Sequence, residues 1–552
     1  MMKCLRTLLR WLPLPARESR AAHPSHAGSL CLLLFGLTLP LVLNGMASAQ
    51  DALTSAESRG KQIYVQGSSR SGQEVLAYVG ESSLEMRGTS MACANCHGLD
   101  GRGKPEGSLN PSDITSESLT KPYGVTHADG RKHPAYTERA FEIAITRGLD
   151  PAGNRLLNVM PRYSLSRADL ADLIAYLGRL GRDRDPGVSN DRLVIGAIVP
   201  LKGPLAETGQ AIKAVTSAFF DDVNNQGGIF NRRIELKFVE AGETGAVTRA
   251  NLERLLKDEQ VFAMTVSFIA GAEKEVAPLL ARQEVPMIGA LTLYPQTGFP
   301  LNRQIFYLLS GMDGQARTLI HFAAAKAELK KSEFVIVYPD HEVTASVVAA
   351  ARDQIQKDGL RPAQVYGYPA GRFDGNEVMK QIKPTGAGLV LFLGGGDEAL
   401  ALMRAADSAG WFPTLFLAGT SGSNELFHAP NGFEGRIFLS FPTSPSDQSV
   451  EGAREFRALA ANYKLPTGHV ALQLSAYSAA KILAEALKRS GRDLSREKLI
   501  GELEGFYEYP TGVTPAITYG PNNRIGALGG YVIVVDLKQQ KFTSASGWIK
   551  ID

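Results

Sequence analysis

The residue types with the sharpest chemistry in this chain stand together in Met91-Ala92-Cys93-Ala94-Asn95-Cys96-His97-Gly98. Two thiols spaced C-x-x-C and followed directly by histidine form the attachment pattern of c-type haem. The spacing has a mechanical reason. On one short turn both sulfurs reach the two vinyl groups along one porphyrin edge, and the next residue swings its imidazole beneath the iron. A C-x-x-C pair also serves as a redox dithiol or as half of a zinc site, and His127 and His133 have the H-x5-H spacing of a zinc pair. Zinc would need the gap between the pairs stretched and would leave His97 without a role. The haem reading therefore leads.

The rest of the chain must deliver that motif to a compartment and position it. Residues 1–49 read as a cleaved export signal. Lys3, Arg6, Arg10, Arg17 and Arg20 make a basic front, Leu30–Leu43 is mostly apolar, and Ala47-Ser48-Ala49 is an A-x-A cleavage site. Gly36 and Pro40 interrupt the apolar run, which falls short of the ~20 residues a membrane span needs. Cys4 and Cys31 leave with the signal, so the mature chain keeps only Cys93 and Cys96. The expected compartment is the periplasm, the side of a bacterial membrane on which this haem is attached. The leader carries five basic residues and one acid, Glu18, a surplus of four that turns the whole-chain charge of +3 into −1. No concentrated basic stretch remains, and no nucleic-acid partner is expected.

About 500 mature residues exceed one hydrophobic core. The clearest seam is Gly178–Asp191, GRLGRDRDPGVSND, which is charged, carries Gly, Pro and Asn, and lacks apolar periodicity. This predicts a first domain over residues 52–180, a linker over 181–191 and a second domain over 192–552. In the first, Ala56–Tyr64 reads as a short helix before Gly67, and Tyr136–Arg147 as a helix ending at Gly148. Ser166–Leu180 opens on an N-cap serine and sets Leu170, Leu173, Ile174 and Leu177 on one face.

CANCHGLDGRG, then Asn158-Val159-Met160-Pro161, then a last helix ending in AYL resemble a class I mono-haem cytochrome c. The resemblance implies an all-α domain and one covalent haem c. Cys93 and Cys96 become thioether donors, His97 the proximal iron ligand and Met160 the distal one. It also suggests that the Pro111 carbonyl orients the proximal imidazole. Met86 and Met91 stand so close before Cys93 that reaching the distal face is awkward. A thioether is soft and neutral, favours ferrous iron and raises the potential. With both axial positions filled, electron transfer is expected rather than catalysis. Glu57–Glu85 is longer than a minimal cytochrome c needs, and the sequence gives that insert no role.

Beyond the seam, strands alternate with helices. One series has strands at Leu193–Val199, Arg233–Val239, Phe262–Val266 and Pro286–Gly289; a second has them at Phe334–Tyr338, Ala363–Tyr368, Leu389–Leu393 and Thr414–Leu417. The pattern predicts βαβ units and parallel sheets in two lobes. Tyr531–Val535 with Gln540–Trp548 reads as a closing hairpin. IGAIVPLKGPLAETGQA (195–211), NNQGGI (224–229), VPMIGA (285–290), AYSAAKILAEAL (476–487) and the closing YVIVVDLKQQKF resemble a type I periplasmic solute-binding protein of the branched-chain amino acid class.

That resemblance implies an α/β fold of two Rossmann-like lobes closing over a small polar solute, with ligands held at strand carboxyl ends. It makes Ser267, Phe268, Ala290 and Thr292 candidate contacts from the first lobe, with Lys202 and Gly203 on its first loop. Tyr338 and Thr420 are the candidates from the second. In the amino acid binders, backbone amides and hydroxyls of the first lobe hold a carboxylate and an acid holds the ammonium; no such acid stands out here. Gly394-Gly395-Gly396-Asp397-Glu398-Ala399 matches G-x-G-x-x-A, but the next strand ends Leu417-Ala418-Gly419-Thr420 without the acid a nucleotide site wants. It reads as a strand-to-helix turn.

The expectation is thus an exported electron carrier and binding protein, not an enzyme, with a periplasmic dehydrogenase or oxidase as redox partner. A small-molecule solute and an ABC permease are the partners of the binding domain, and membranes are met only through partners. Two alternatives stand beside it: the recognition subunit of an ABC importer with an accessory haem, and an electron-accepting subunit of a periplasmic alcohol dehydrogenase system.

Overall fold

A computed structural model describes residues 53–103, 110–127, 130–422, 424–492 and 494–551. The expected signal and its cleavage site after Ala49 lie outside the described residues. The chain divides into two compact units between Arg184 and Asp185.

The first unit is helical with small added sheets. Its helices are α1 (Ser55–Gln66), α2 (Cys93–His97), α3 (Ser116–Leu119), α4 (Glu138–Arg147) and α5 (Arg167–Leu177). Its strands are β1 (Leu76–Val79), β2 (Leu84–Arg87), β3 (Val125–Thr126), β4 (Lys132–His133) and β5 (Arg162–Ser164). The start of α1 is set by a reciprocal cap: the Thr54 hydroxyl accepts from Glu57 N, and Glu57 accepts from Thr54 N at 2.7 Å. Helices α1 and α5 cross at Gly60, where an added Cβ would lie 1.9 Å from the Asp172 carbonyl oxygen. Arg59 holds Asp172 with two hydrogen bonds at 2.6 and 2.8 Å beside that crossing. Tyr64 and Tyr176 meet there with ring centroids 5.6 Å apart. The helical class holds, and the long insert supplies what helices alone do not: hairpin β1–β2, which pairs antiparallel with β5.

The seam is ordered at both ends. Asp183 accepts from Lys61 and from the Tyr176 hydroxyl in the first unit. Asp185 accepts from Arg496 N in the second, and Val188 is buried in that unit's core.

The second unit has two lobes. The first-lobe sheet contains β6 (Arg192–Val199), β7 (Arg233–Glu240), β8 (Ala263–Thr265), β9 (Met287–Ala290), β10 (Ile305–Leu309) and β16 (Ile525–Ala527), in the order β16-β10-β9-β8-β6-β7, all parallel. The second-lobe sheet begins with β11 (Phe334–Asp340), β12 (Gln364–Pro369), β13 (Leu389–Phe392), β14 (Thr414–Ala418) and β15 (Ile437–Phe441), which are parallel. The closing strands β17 (Gly529–Asp536), β18 (Lys541–Ser544) and β19 (Ile549–Lys550) join it antiparallel. The central parallel strands are nearly continuous apolar runs, as covered faces require, while the edge strands β7 and β12 are partly exposed.

Helices α6 (Ala206–Asn225), α7 (Gly245–Glu259) and α8 (Glu273–Gln283) serve the first lobe; α9 (Met312–Ala324), α10 (Ala327–Lys330), α11 (Glu342–Lys357), α12 (Gly375–Ile382) and α13 (Gly396–Ser408) serve the second. The chain then returns to the first lobe through α14 (Val450–Tyr463), α15 (Val470–Ser490) and α16 (Arg496–Glu504), which pack into the core that holds β6. Two of the crossings between lobes are stitched together by the buried Ser310 hydroxyl, which accepts from Gly529 N at 3.2 Å and bonds the Gly529 carbonyl.

Candidate haem site and solute cleft

Cys93, Cys96 and His97 stand on the single turn of α2, as the motif requires. Two buried tyrosines hold that turn from either side. Tyr163 of β5 donates to the Met91 carbonyl and Tyr64 of α1 to the Gly98 carbonyl, each at 2.6 Å. Burial raises both phenols above the ordinary tyrosine range, so they stay donors.

The His97 ring is half-buried, and its Nδ1 lies 3.0 Å from the Ser112 carbonyl. A carbonyl only accepts, so Nδ1 carries the proton and Nε2 keeps its lone pair. The orienting carbonyl belongs to Ser112, the neighbour of Pro111. Desolvation holds the His97 pKa below the usual imidazole value, against the Ser112 bond, which raises it. A neutral imidazole with a fixed tautomer and a free Nε2 suits an iron ligand.

Burial pushes the Cys93 thiol up to about 11. A reactive dithiol needs the opposite shift. His127 and His133 bond each other through their Nε2 atoms at 2.8 Å across β3 and β4. Among the described residues no group of three or more His, Cys, Asp and Glu side chains is placed to hold a bare metal ion. The donor set fits a haem.

Met160 lies three residues before Tyr163, in a loop knotted by its own polar groups. Buried Asp150 accepts from Ala152 N, Asn154 N and Arg131. Leu156 N donates to the Gly148 carbonyl at 2.9 Å. The Arg162 guanidinium donates to the carbonyls of Leu156 and Met160. The insert braces this loop from both flanks: Tyr78 pairs with Arg162, and Gly80 N donates to the Asn158 carbonyl at 3.0 Å. Leu157 and Val159, the neighbours of Asn158, are exposed apolar side chains, at 65% and 43%. Sequence reasoning missed Tyr64, Tyr163 and Arg162, whose roles come from partners distant in the chain.

In the second unit the candidate contacts sit on neighbouring loops. Strands β8 and β9 are adjacent and parallel, and the bridge Phe268–Leu291 continues their pairing past the strand ends. Ser267 is fully buried; its hydroxyl accepts from Ile198 N at 3.2 Å and donates to the Thr265 carbonyl at 3.1 Å. Phe268 is half-buried and gives its N–H to Ile198, while Ala290 is buried at the end of β9. Thr292 donates to Glu273 and accepts from Tyr294 N. Lys202 is exposed on the first loop, and Glu240 accepts from its backbone N–H.

In the second lobe Tyr338 is half-buried in β11, and the Thr420 hydroxyl approaches the Met312 sulfur at 3.5 Å. The Gly394–Gly396 turn caps α13, with Glu398 accepting from Gly395 N at 2.9 Å and from the Tyr368 hydroxyl at 2.8 Å. The two rims face each other, since Lys274 of α8 pairs with Glu342 of α11.

Both architectures have relatives. The periplasmic binding protein family model matches residues 193–540, more than half of the chain, and the cytochrome c family model matches 87–181. The chain belongs to the periplasmic binding protein family and carries a cytochrome c domain ahead of the binding fold. It is 25% identical over 303 residues to a Leu/Ile/Val-binding protein homolog of Brucella melitensis, covering 54% of this chain and 79% of that one. It is 21% identical over 328 residues to a leucine-, isoleucine-, valine-, threonine- and alanine-binding protein of Pseudomonas aeruginosa, covering 58% and 85%.

Among solved structures it resembles a branched-chain amino acid ABC transporter protein from Thermus thermophilus with bound valine, with a TM-score of 0.53 at 17% identity over 66% of this chain and 98% of that one. A fatty acid ABC transporter substrate-binding protein from Thermomonospora curvata matches equally well, with a TM-score of 0.53 at 17% identity over 67% and 95%. These likenesses show the fold.

Proposed function

We propose that this chain is an exported electron carrier and solute-binding protein. One haem c is attached through Cys93 and Cys96 within a domain spanning residues 52–180, and the binding domain spans residues 192–552. His97 and Met160 are the side chains that would hold the iron. The haem supplies a one-electron couple; the chain's own residues set its conditions. Ser112 orients the His97 ring, Tyr64 and Tyr163 fix the attachment turn, and the Met160 thioether favours the reduced metal. With His97 and Met160 both serving as ligands, the group would carry electrons rather than bind a substrate. The redox partner is a periplasmic dehydrogenase or oxidase. The observation that carries this reading is the His97 Nδ1 to Ser112 carbonyl contact, which leaves Nε2 as the donor atom.

The binding domain favours a companion role: it takes a small solute in the cleft and presents it to an ABC permease, as the match over residues 193–540 supports. The test is a reduced-minus-oxidised spectrum of full-length protein matured in a host that attaches c-type haem. We expect Met160→Ala to abolish the thioether–iron absorption near the red end of the ferric spectrum. If that band survives, Met160 is not the ligand; a colourless wild-type protein ends the redox reading altogether.

A further inference from the structure

The first-lobe rim of the cleft already contains a carboxylate, and it belongs to the protein. Glu273 opens α8 and is 5% exposed. One of its oxygens accepts from Gly271 N at 2.9 Å and the other from the Thr292 hydroxyl. These two donors lie on the adjacent loops that follow β8 and β9, at the carboxyl ends of the sheet where a ligand would be received. The next residue, Lys274, reaches across to Glu342 of the other lobe, so this stretch lines the cleft rather than an outer edge. The third polar candidate on the rim, the Ser267 hydroxyl, is committed to Ile198 N and the Thr265 carbonyl. The Ser267 and Thr292 hydroxyls and the Gly271 amide are therefore occupied from within.

We infer that the solute taken by this cleft has no free carboxylate and is neutral or cationic, Glu273 filling from within the place an acid ligand's carboxylate would take. This rests on the binding role proposed above. A ligand carboxylate entering beside Glu273 would meet a buried like charge and no open donor among those three groups. Such a juxtaposition of like charges in a desolvated site opposes binding.

The opposite rim agrees in sign. Asp397, in the first turn of α13, and Glu425, in the turn after β14, lie together, and Asp397 holds Glu425 above the usual carboxylate range against the opposing pull of His428. Of the basic groups on the rims, Lys274 is paired with Glu342, while Lys202 on the first lobe and His341 and Arg372 on the second are exposed.

The experiment compares wild type, Glu273→Gln and Glu273→Ala as full-length holoprotein. Thermal shift and calorimetry are run against matched pairs: L-valine and L-valinamide, isobutyrate and isobutyramide, short fatty acids and the corresponding alcohols. For wild type, saturable binding is expected only among members lacking a carboxylate. Glu273→Ala opens Gly271 N and the Thr292 hydroxyl, and should gain roughly tenfold or more in affinity for the acids. Glu273→Gln keeps the side-chain shape and two hydrogen-bonding partners without the charge, so it guards against a folding failure and should lie between the two.

Binding of any acid to wild type as tightly as its uncharged partner overturns the inference while leaving the binding role intact. So does a folded Glu273→Ala with no gain for acids. If no compound in the set binds any of the three proteins, the binding role fails and the inference with it.

Discussion

Arg162 offers the sharpest test of how the distal loop is held. Its guanidinium donates to the Leu156 carbonyl at 3.0 Å and to the Met160 carbonyl, and it lies over Gly148, where an added Cβ would fall 1.8 Å from Nε. Arg162→Ala leaves two carbonyls flanking the Met160 turn without their donor. Each such bond is worth about 1 kcal/mol net, and because Arg162 is half-exposed, water recovers part of the loss. A total of about 1–2 kcal/mol follows, equivalent to roughly a tenfold rise in the population of the opened loop. The pairing of β1 with β5 and the Gly80–Asn158 bond survive, so the domain stays folded.

The assay is a titration of the ferric protein with imidazole, followed through the thioether–iron band. We expect the half-displacement concentration to drop roughly tenfold in Arg162→Ala. Arg162→Lys, with a point charge in place of the planar fork, should fall between the two. An unchanged imidazole midpoint combined with a lowered Tm would refute the reasoning, because Arg162 would then support the fold without holding the loop.

Two further outcomes follow from the same geometry. Desolvation works to raise the Asp150 pKa, but hydrogen bonds from Asn154 and Arg131 outweigh it and hold the carboxyl below its ordinary 3.8. Its contribution is thus present above that pH and lost as pH falls through the lower folded value. Asp150→Asn should cost about 2 kcal/mol at neutral pH in denaturant unfolding, with the difference from wild type shrinking in acid. Gly289 has φ +73°, and a Cβ there would meet the Ala479 Cβ at 2.2 Å. Gly289→Ala should lower the unfolding free energy of the binding domain by about 2–4 kcal/mol. Gly410→Ala, also at positive φ (+62°) but facing open space, should cost only about 1 kcal/mol.

What could be read from the chain follows the range of the interactions involved. The cysteines and His97 were legible because covalent chemistry fixes their spacing within one turn. The alternation of strands and helices was legible because each βαβ unit is written locally, and the closing hairpin appears as β17 and β18. The order of strands in each sheet was not, since it depends on pairings such as β10 with β16, more than 200 residues apart. Ser267 and Thr292 are candidates through the resemblance to solute-binding proteins, and whether either hydroxyl is open to a ligand depends on its partner. For Thr292 that partner is Glu273, an acid that nothing in its local sequence marks out. The orienting carbonyl was placed one residue early for the same reason: Pro111 and Ser112 differ only in where the turn aims them.

The insert between α1 and α2 is the clearest case of a segment explained by what it touches. A thioether on iron is a soft, uncharged ligand, so the metal contributes little to holding the loop that carries it, and the protein must supply the stiffness. Here it comes from both sides of Met160. Gly80 fixes Asn158 two residues before it, and Tyr78 fixes Arg162 two residues after it, both from one hairpin. The same β5 strand then sends the Tyr163 hydroxyl to Met91, two residues before the first cysteine. One three-stranded sheet thus ties the proposed distal ligand to the attachment turn. A register slip by one residue in β5 would turn Tyr163 away from Met91 and aim Arg162 at it, breaking both links at once. Strand register, more than the identity of any single side chain, is what keeps the two ends of the proposed iron site in step.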